Sequence, residues 1–284
     1  MADRPSISVA VIARDEERNI GRCLASVRWA DEVVVVDSGS SDATVAIARR
    51  HGARVLVEAW RGYAGQKNLA VDRASHPWVL SLDADEWLGP EAEGEIRRAV
   101  GGGQGEAFAF VRISAFSGAF LRRTWRGDRP IRLFRRDRGR FGGGHVHESV
   151  RLASGTRVTT LDAPLYHLTY RSIADYVDRL NRYTSLAAQG LVEEGRAPRL
   201  ARLLVSPVAA FLKHFIGRGG WREGVRGLVV ASGSAWYVFL KYAKHWEASL
   251  PPDPDFVRNV PPTPEDPEPG AATVRPPGRG GTAP

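Results

Sequence analysis

The stretch SLDADEW, residues 81 to 87, sets Asp83, Asp85 and Glu86 within four positions, directly after the apolar run Trp78, Val79 and Leu80. Carboxylates this close repel one another unless a cation or a basic side chain neutralises them. On extended backbone Asp83 and Asp85 both face one cleft while Ala84 points into the protein. Oxygen ligands of this kind suit a hard divalent cation, Mg²⁺ or Mn²⁺, which would bridge to substrate phosphates and keep water in its remaining positions. Asp-x-Asp also recurs by chance in acidic loops, and its place at the end of an apolar run is what sets this one apart.

A second chemical stretch is GGGHVHESV, residues 142 to 150. Glu148, beside two histidines and after a run of glycines, is a candidate general base for a hydroxyl. His145 or His147 could complete a metal shell, although a zinc site of the hydrolase kind lacks a third protein ligand nearby. A solvated polar loop accounts for the same residues. Between Arg112 and Arg140 there are ten arginines against two aspartates. Arg132 and Arg135, flanking Leu133 and Phe134, could stabilise a departing diphosphate or grip an anionic acceptor. A solvated basic face or a single-stranded nucleic acid would use such a block too. With no nucleic-acid motif around it, a nucleic-acid partner is not expected. Lys67 and Asn68 open a helix and could face a nucleotide, or simply begin a surface helix.

These residues need a scaffold. ISVAVI (7 to 12), EVVVVD (32 to 37), RVLVE (54 to 58) and WVLSL (78 to 82) are β-branched or Leu-rich runs of the kind buried on both faces in a parallel sheet. Helix-like segments separate them, one with Ile20, Leu24 and Val27 on a single face around Cys23, another following SGSSDAT and closed by Gly52. The alternation predicts an α/β, Rossmann-like fold. In such sheets ligands bind beyond the carboxyl ends of the strands, which here read ARDEE, DSGSSD and DADE. Asp37, with Ser38, Gly39 and Ser40, would let a base and ribose approach, and Asp42 or Ser41 would cap the helix that follows.

Residues 101 to 170 read as an antiparallel or irregular continuation, so 1–170 is expected to form the nucleotide-binding and catalytic domain. Residues 171–248 read as a helical extension: one amphipathic helix from Ser172, a second over about Arg199 to Ile216 despite Pro207, and a third over about Val225 to Trp246. Arg199, Arg202, Lys213 and Arg218 beside apolar faces suit an anionic membrane surface, and a helical cap over the core explains the first helix at least as well. In residues 249–284 eleven of the 18 prolines gather, and that tail is expected to be disordered.

With 284 residues the chain can bury a full core, and its net charge of +8 favours phosphate-bearing partners. One cysteine excludes an intrachain disulfide. No secretory signal is read at the N-terminus, so a cytoplasmic location is expected. The longest apolar stretch, 227 to 240, is shorter than the roughly 20 residues a spanning helix needs.

Taken together, SVAVIARDEERNIGRCLASV, ADEVVVVDSGSSDAT, GQKNLA and VLSLDADE resemble the nucleotide-sugar domain of family 2 glycosyltransferases, which have the GT-A fold. IRLFRRD, HVHES, YHLTYRSIADYVDRLNRYT and FLKYAKHWE resemble the bacterial branch that adds a glucosyl or related unit to the lipopolysaccharide inner core. The resemblance implies a nucleotide-sugar donor, foremost a UDP-sugar, and a glycan or lipid-linked acceptor. It makes Asp85 the direct ligand of Mg²⁺ or Mn²⁺ and sets Asp83 nearer the ribose or a metal-bound water. Glu16 and Asp37 match positions that contact the nucleoside, and Glu148 matches the catalytic base, with His147-Glu148 where relatives carry an acidic pair. Many relatives have Asn where this chain has Asp15. The implied reaction is a single displacement with inversion, and the expected place is the cytoplasm or the inner face of the cytoplasmic membrane. A metal-dependent nucleotidyltransferase, whose first loop is usually rich in Gly and Lys or Arg rather than acidic, and a basic membrane- or RNA-binding module are the alternatives.

Overall fold

The computed structural model describes residues 4–125, 127–143 and 148–251, and residues up to Ala248 form one compact unit. His145, His147 and the chain beyond 251 lie outside the described residues.

The four apolar runs become strands β1 (Ile7–Ala13), β2 (Glu32–Asp37), β3 (Arg54–Val57) and β4 (Trp78–Asp83), with helices α1 (Ile20–Ser26), α2 (Thr44–Arg50) and α3 (Gly62–Arg73) between them. After β4 come β5 (Glu86–Leu88), α4 (Ala92–Gly101), β6 (Ala107–Phe116), β7 (Ala119–Leu121), β8 (Ile131–Arg135), β9 (Gly139–Gly142), β10 (Ser149–Leu152) and β11 (Val158–Tyr170). One mixed sheet runs β3-β2-β1-β4-β8-β6-β11-β5, with β7 paired to β6. β9 and β10 form a separate hairpin. The expected parallel, Rossmann-like half is β3-β2-β1-β4, and β8 enters antiparallel between β4 and β6.

Register fixes where chemistry can occur. Ala13 pairs with Asp37 and Ile12 with Asp83, so β1, β2 and β4 end at one edge. β6 and β11 run the same way as β4, and His167 on β11 lies opposite Ser114 of β6 on one side and Glu86 of β5 on the other. Because β8 is antiparallel, its two ends point to opposite edges of the sheet: Arg135 pairs with Trp78 at the start of β4, whereas Leu133 pairs with Leu80.

Beneath that edge the core is apolar on both faces. Ile20, Cys23 and Leu24 of α1 and Ile96 of α4 pack on one face, and Ala70 and Val71 of α3 with Phe134 and Phe141 on the other. Two loops at the ligand edge are laced together. Asp15 adopts a left-handed φ of 53°, its N–H donates to Ser40 Oγ at 2.8 Å, and its Oδ1 accepts the N–H of Ser41 at 2.8 Å. Asn and Asp tolerate that backbone region better than other side chains, which gives a physical reason for either residue here. Asp42 accepts the N–H of Thr44 at 2.9 Å from just outside α2, whose N-cap position is Ala43.

The helical segment comprises α5 (Ile173–Glu193), α6 (Leu200–Leu212) and α7 (Gly224–Glu247), with a π turn at Lys213–Gly217 and a 3₁₀ turn at Gly220–Glu223. Ser172 caps α5 by accepting the N–H of Asp175 at 3.1 Å, and Tyr176 and Leu180 of α5 pack with Phe116 and Val230. Glu223 fastens the segment to the loop after β7, accepting the N–H groups of Arg122, Arg123 and Thr124 at 2.7, 2.8 and 2.9 Å. α7 buries Gly227, Val230 and Ala231, so much of the apolar stretch read at 227 to 240 serves packing. Among the described residues, the stretch long and apolar enough to cross a membrane is instead Leu200–Gly217, 18 residues of which none is buried.

Candidate active site

A cavity of about 1060 Å³ opens between the carboxyl edge of the sheet and the helices α5 to α7. Glu16, Asp83, Asp85 and Glu148 reach it from three different segments, and His167 joins them from β11.

Under the cavity floor lies a chain of charges. Glu86 is fully buried and accepts two hydrogen bonds from Arg132, at 2.8 Å from Nε and 2.9 Å from a terminal nitrogen, with Arg112 at 3.3 Å. The second oxygen of Asp83 lies 3.2 Å from Arg132, and its first 2.8 Å from Lys67 Nζ. Lys67, 3 % exposed, then donates to Glu148 Oε1 at 2.9 Å. The order is therefore Glu86, Arg132, Asp83, Lys67, Glu148, with opposite charges alternating.

Burial alone would raise the pKa of Asp83, yet Lys67 and Arg132 hold it below the ordinary aspartate value. Burial likewise opposes the charge on Glu86, and Arg132 more than offsets it, so Glu86 stays ionised. Lys67 shows the mirror case: desolvation would lower its pKa, and the Asp83 and Glu148 carboxylates raise it. Thus Lys67 and Arg132 supply counter-charge to Asp83 and Glu86 from within the chain, beside the divalent ion expected for the stretch. The reason is directional: Glu86 turns inward at the start of β5, within reach of β8.

Asp85 stands outside this relay. Its Oδ2 is 3.4 Å from His167 Nε2, and both side chains are 16 % exposed. Glu16, burdened first by burial and then by the charge of Asp85, has its pKa raised. Among the described residues no three His, Cys, Asp or Glu side chains gather as a complete metal site. Asp85 with His167 fits an ion that takes two protein ligands and completes its shell with phosphate and water. An imidazole nitrogen in the set suits Mn²⁺ better than Mg²⁺.

Residues 8–123 match the family model described as glycosyl transferase family 2. Over 261 residues the chain is 31 % identical to the lipopolysaccharide core biosynthesis glycosyltransferase LpsC of Rhizobium meliloti (strain 1021), spanning 87 % of this chain and 94 % of that protein. The chain belongs to glycosyltransferase family 2. It is also 33 % identical over 262 residues to an uncharacterized glycosyltransferase of Rickettsia typhi, covering 86 % of this chain and 88 % of that one. In fold it is similar to the mannosyltransferase PcManGT of Pyrobaculum calidifontis, solved in complex with GDP-Man and Mn²⁺, with a TM-score of 0.55 at 16 % identity over 88 % of this chain and 89 % of that one. This α/β architecture is the GT-A fold.

Within the family 2 fold, several expected sites take other roles. Asp37 is fully buried, and its carboxylate accepts the N–H groups of Gly39 at 3.0 Å and Ser40 at 2.8 Å and the hydroxyl of Ser40. It shapes the loop, and its neighbour Ser38 is the residue that lines the cavity. Arg132 does not open to the cavity as a phosphate grip would: its Nε and one terminal nitrogen donate to Glu86 and Asp83, and it is 8 % exposed. Arg135 lies at the far edge of the sheet, where both its Nε and a terminal nitrogen donate to Asp137 at 3.0 Å. Lys67, read as facing a nucleotide or the surface, is the buried link between Asp83 and Glu148. His145 and His147, proposed for the metal shell and the substrate, lie outside the described residues.

Sequence reading missed the cavity's other side. His167, Arg179 and Arg182 line it, with Trp60 and Tyr63, whose rings meet edge to face at 4.9 Å. Arg179 is held by Asp175 at 2.8 Å. The available signal is the occurrence of Arg179 and Arg182 between Tyr176 and Tyr183 along one helix.

These roles predict opposite outcomes for two arginines. Arg132→Met leaves buried Glu86 without its main counter-charge, with only the longer contact to Arg112 remaining, and is expected to cost about 3–5 kcal/mol of stability in urea unfolding. Arg135→Ala removes an exposed pair and is expected to change stability by no more than about 0.5 kcal/mol, with turnover intact.

Proposed function

We propose that the chain is an inverting hexosyltransferase that moves a sugar from a UDP-sugar to a hydroxyl of a lipid-linked glycan of the lipopolysaccharide core type, working at the inner face of the cytoplasmic membrane. The observation that carries this reading is the juxtaposition of Glu148, Asp83 and Asp85 at one cavity, with Lys67 fixing the first two. The name of the Rhizobium meliloti relative supports the acceptor class.

Glu148, held at one oxygen by Lys67, takes the proton of an acceptor hydroxyl with the other. The acceptor oxygen then attacks the anomeric carbon from the face opposite the nucleoside diphosphate, the bond to that diphosphate breaks, and configuration inverts. Bound to Asp85 and His167, a divalent ion would supply positive charge for the departing diphosphate. Arg179 and Arg182 add fixed cations on the same cavity wall, and Trp60 with Tyr63 offers flat apolar surface to a base or a sugar ring.

The test is product analysis with a panel of nucleotide sugars and a lipopolysaccharide-core acceptor. Release of nucleoside diphosphate with a β-linked product from an α-linked donor, read by NMR at the anomeric proton, is expected. Retained configuration would overturn the displacement, and release of inorganic diphosphate would return the nucleotidyl reading.

A further inference from the structure

Helix α6 is built inside out. Its outward residues Leu200, Leu204, Val205, Val208 and Leu212, with Ile216 in the π turn that follows, recur at helical spacing and are 46 to 65 % exposed. The opposite face, which includes Leu203, Ala210 and Phe211, is partly covered, and α6 packs against α7. A helix resting on a globular protein in water shows the reverse pattern, polar outward and apolar inward. Beyond the π turn, Trp221 and Val225 are also exposed, at 55 and 76 %.

Charge identifies the occupant. From Arg199 to Arg222 the chain carries Arg199, Arg202, Lys213, Arg218 and Arg222 and no acidic residue. An apolar stripe within a wholly cationic segment matches acyl chains beneath anionic headgroups. A second copy of this chain would set like charges against like. Nor is the segment free to span the bilayer alone, because His214 Nδ1 and an Arg218 terminal nitrogen each lie 3.2 Å from the carbonyl oxygen of Thr124.

We infer that α6 and its π turn lie in the plane of an anionic phospholipid leaflet and hold the protein on it as a monotopic anchor. Position gives the anchor a purpose, and this part rests on the proposed lipid-linked acceptor. Ala210 and His214 from this segment line the same cavity as Asp85 and Glu148, so docking turns the cavity mouth toward the leaflet.

The test is flotation of the full-length protein with phosphatidylcholine vesicles, with and without phosphatidylglycerol, across a salt series. Strong binding is expected only with phosphatidylglycerol and at low salt. A Leu204→Gln, Val208→Gln variant is expected to bind about 30-fold more weakly. Both side chains are exposed and outside the catalytic machinery, so its melting temperature and its affinity for UDP should match those of the parent. Absence of wild-type binding to anionic vesicles, or equal binding by the variant, overturns the anchor. So does a concentration-dependent dimer that the variant dissolves, which would assign this face to a second copy. UDP affinity is read separately in solution, so loss of the anchor and loss of the donor reading are distinguishable.

Discussion

Glu148→Gln is expected to bind the nucleotide-sugar donor with wild-type affinity and to lower kcat by about 10²- to 10⁴-fold, the usual contribution of a positioned general base. The amide keeps the shape and can still accept from Lys67, whose ammonium remains held by Asp83 at 2.8 Å, so the fold should stand. What it loses is the capacity to take a proton from the acceptor. Transfer to a lipopolysaccharide-core acceptor, measured beside donor affinity by calorimetry, separates the two effects. A variant with the parental kcat would place the base elsewhere.

Asp85→Ala is expected to weaken transition-state stabilisation by several kcal/mol, on the order of 10³-fold in kcat/KM, because it removes the carboxylate that in the proposed mechanism would hold the divalent ion. Its effect on stability should be small. Apart from His167 at 3.4 Å, Asp85 is tied to the fold through its backbone, its carbonyl accepting the N–H of Leu168 at 3.1 Å. Asp83→Ala provides the contrast. That substitution breaks the alternating relay between Lys67 and Arg132, so it should lower the melting temperature as well as the rate. Parental kcat/KM in the Asp85 variant would remove that residue from the reaction.

The parallel half of the sheet was legible because its signal is local. Four β-branched runs, each ending in polar residues, place Ala13, Asp37 and Asp83 at one edge once parallel pairing is assumed, and the register does so. The arginine block was misleading for a reason equally physical. Arg132 and Arg135 are three apart on a strand, so they leave opposite faces and lie toward opposite ends, and charge density in the sequence cannot show this. The Lys67 to Glu148 contact joins residues 81 positions apart, with no local pattern to announce it. His167 is one of several polar residues in a 13-residue strand, and its meaning depends on which strand lies beside it. Amphipathicity in α6 was legible, whereas its direction was not: the same spacing describes an apolar face turned inward or outward, and only the position of α7 decides.

Asp85, just beyond the carboxyl end of β4, is proposed to hold a nucleoside diphosphate through a divalent ion. Calorimetric titration of UDP into the parent protein and into Asp85→Ala, each with and without Mn²⁺, tests it most directly. Tight binding by the parent with Mn²⁺, weak binding without it, and no response to the ion in the variant are expected. Equal, ion-independent affinity in both proteins would contradict it.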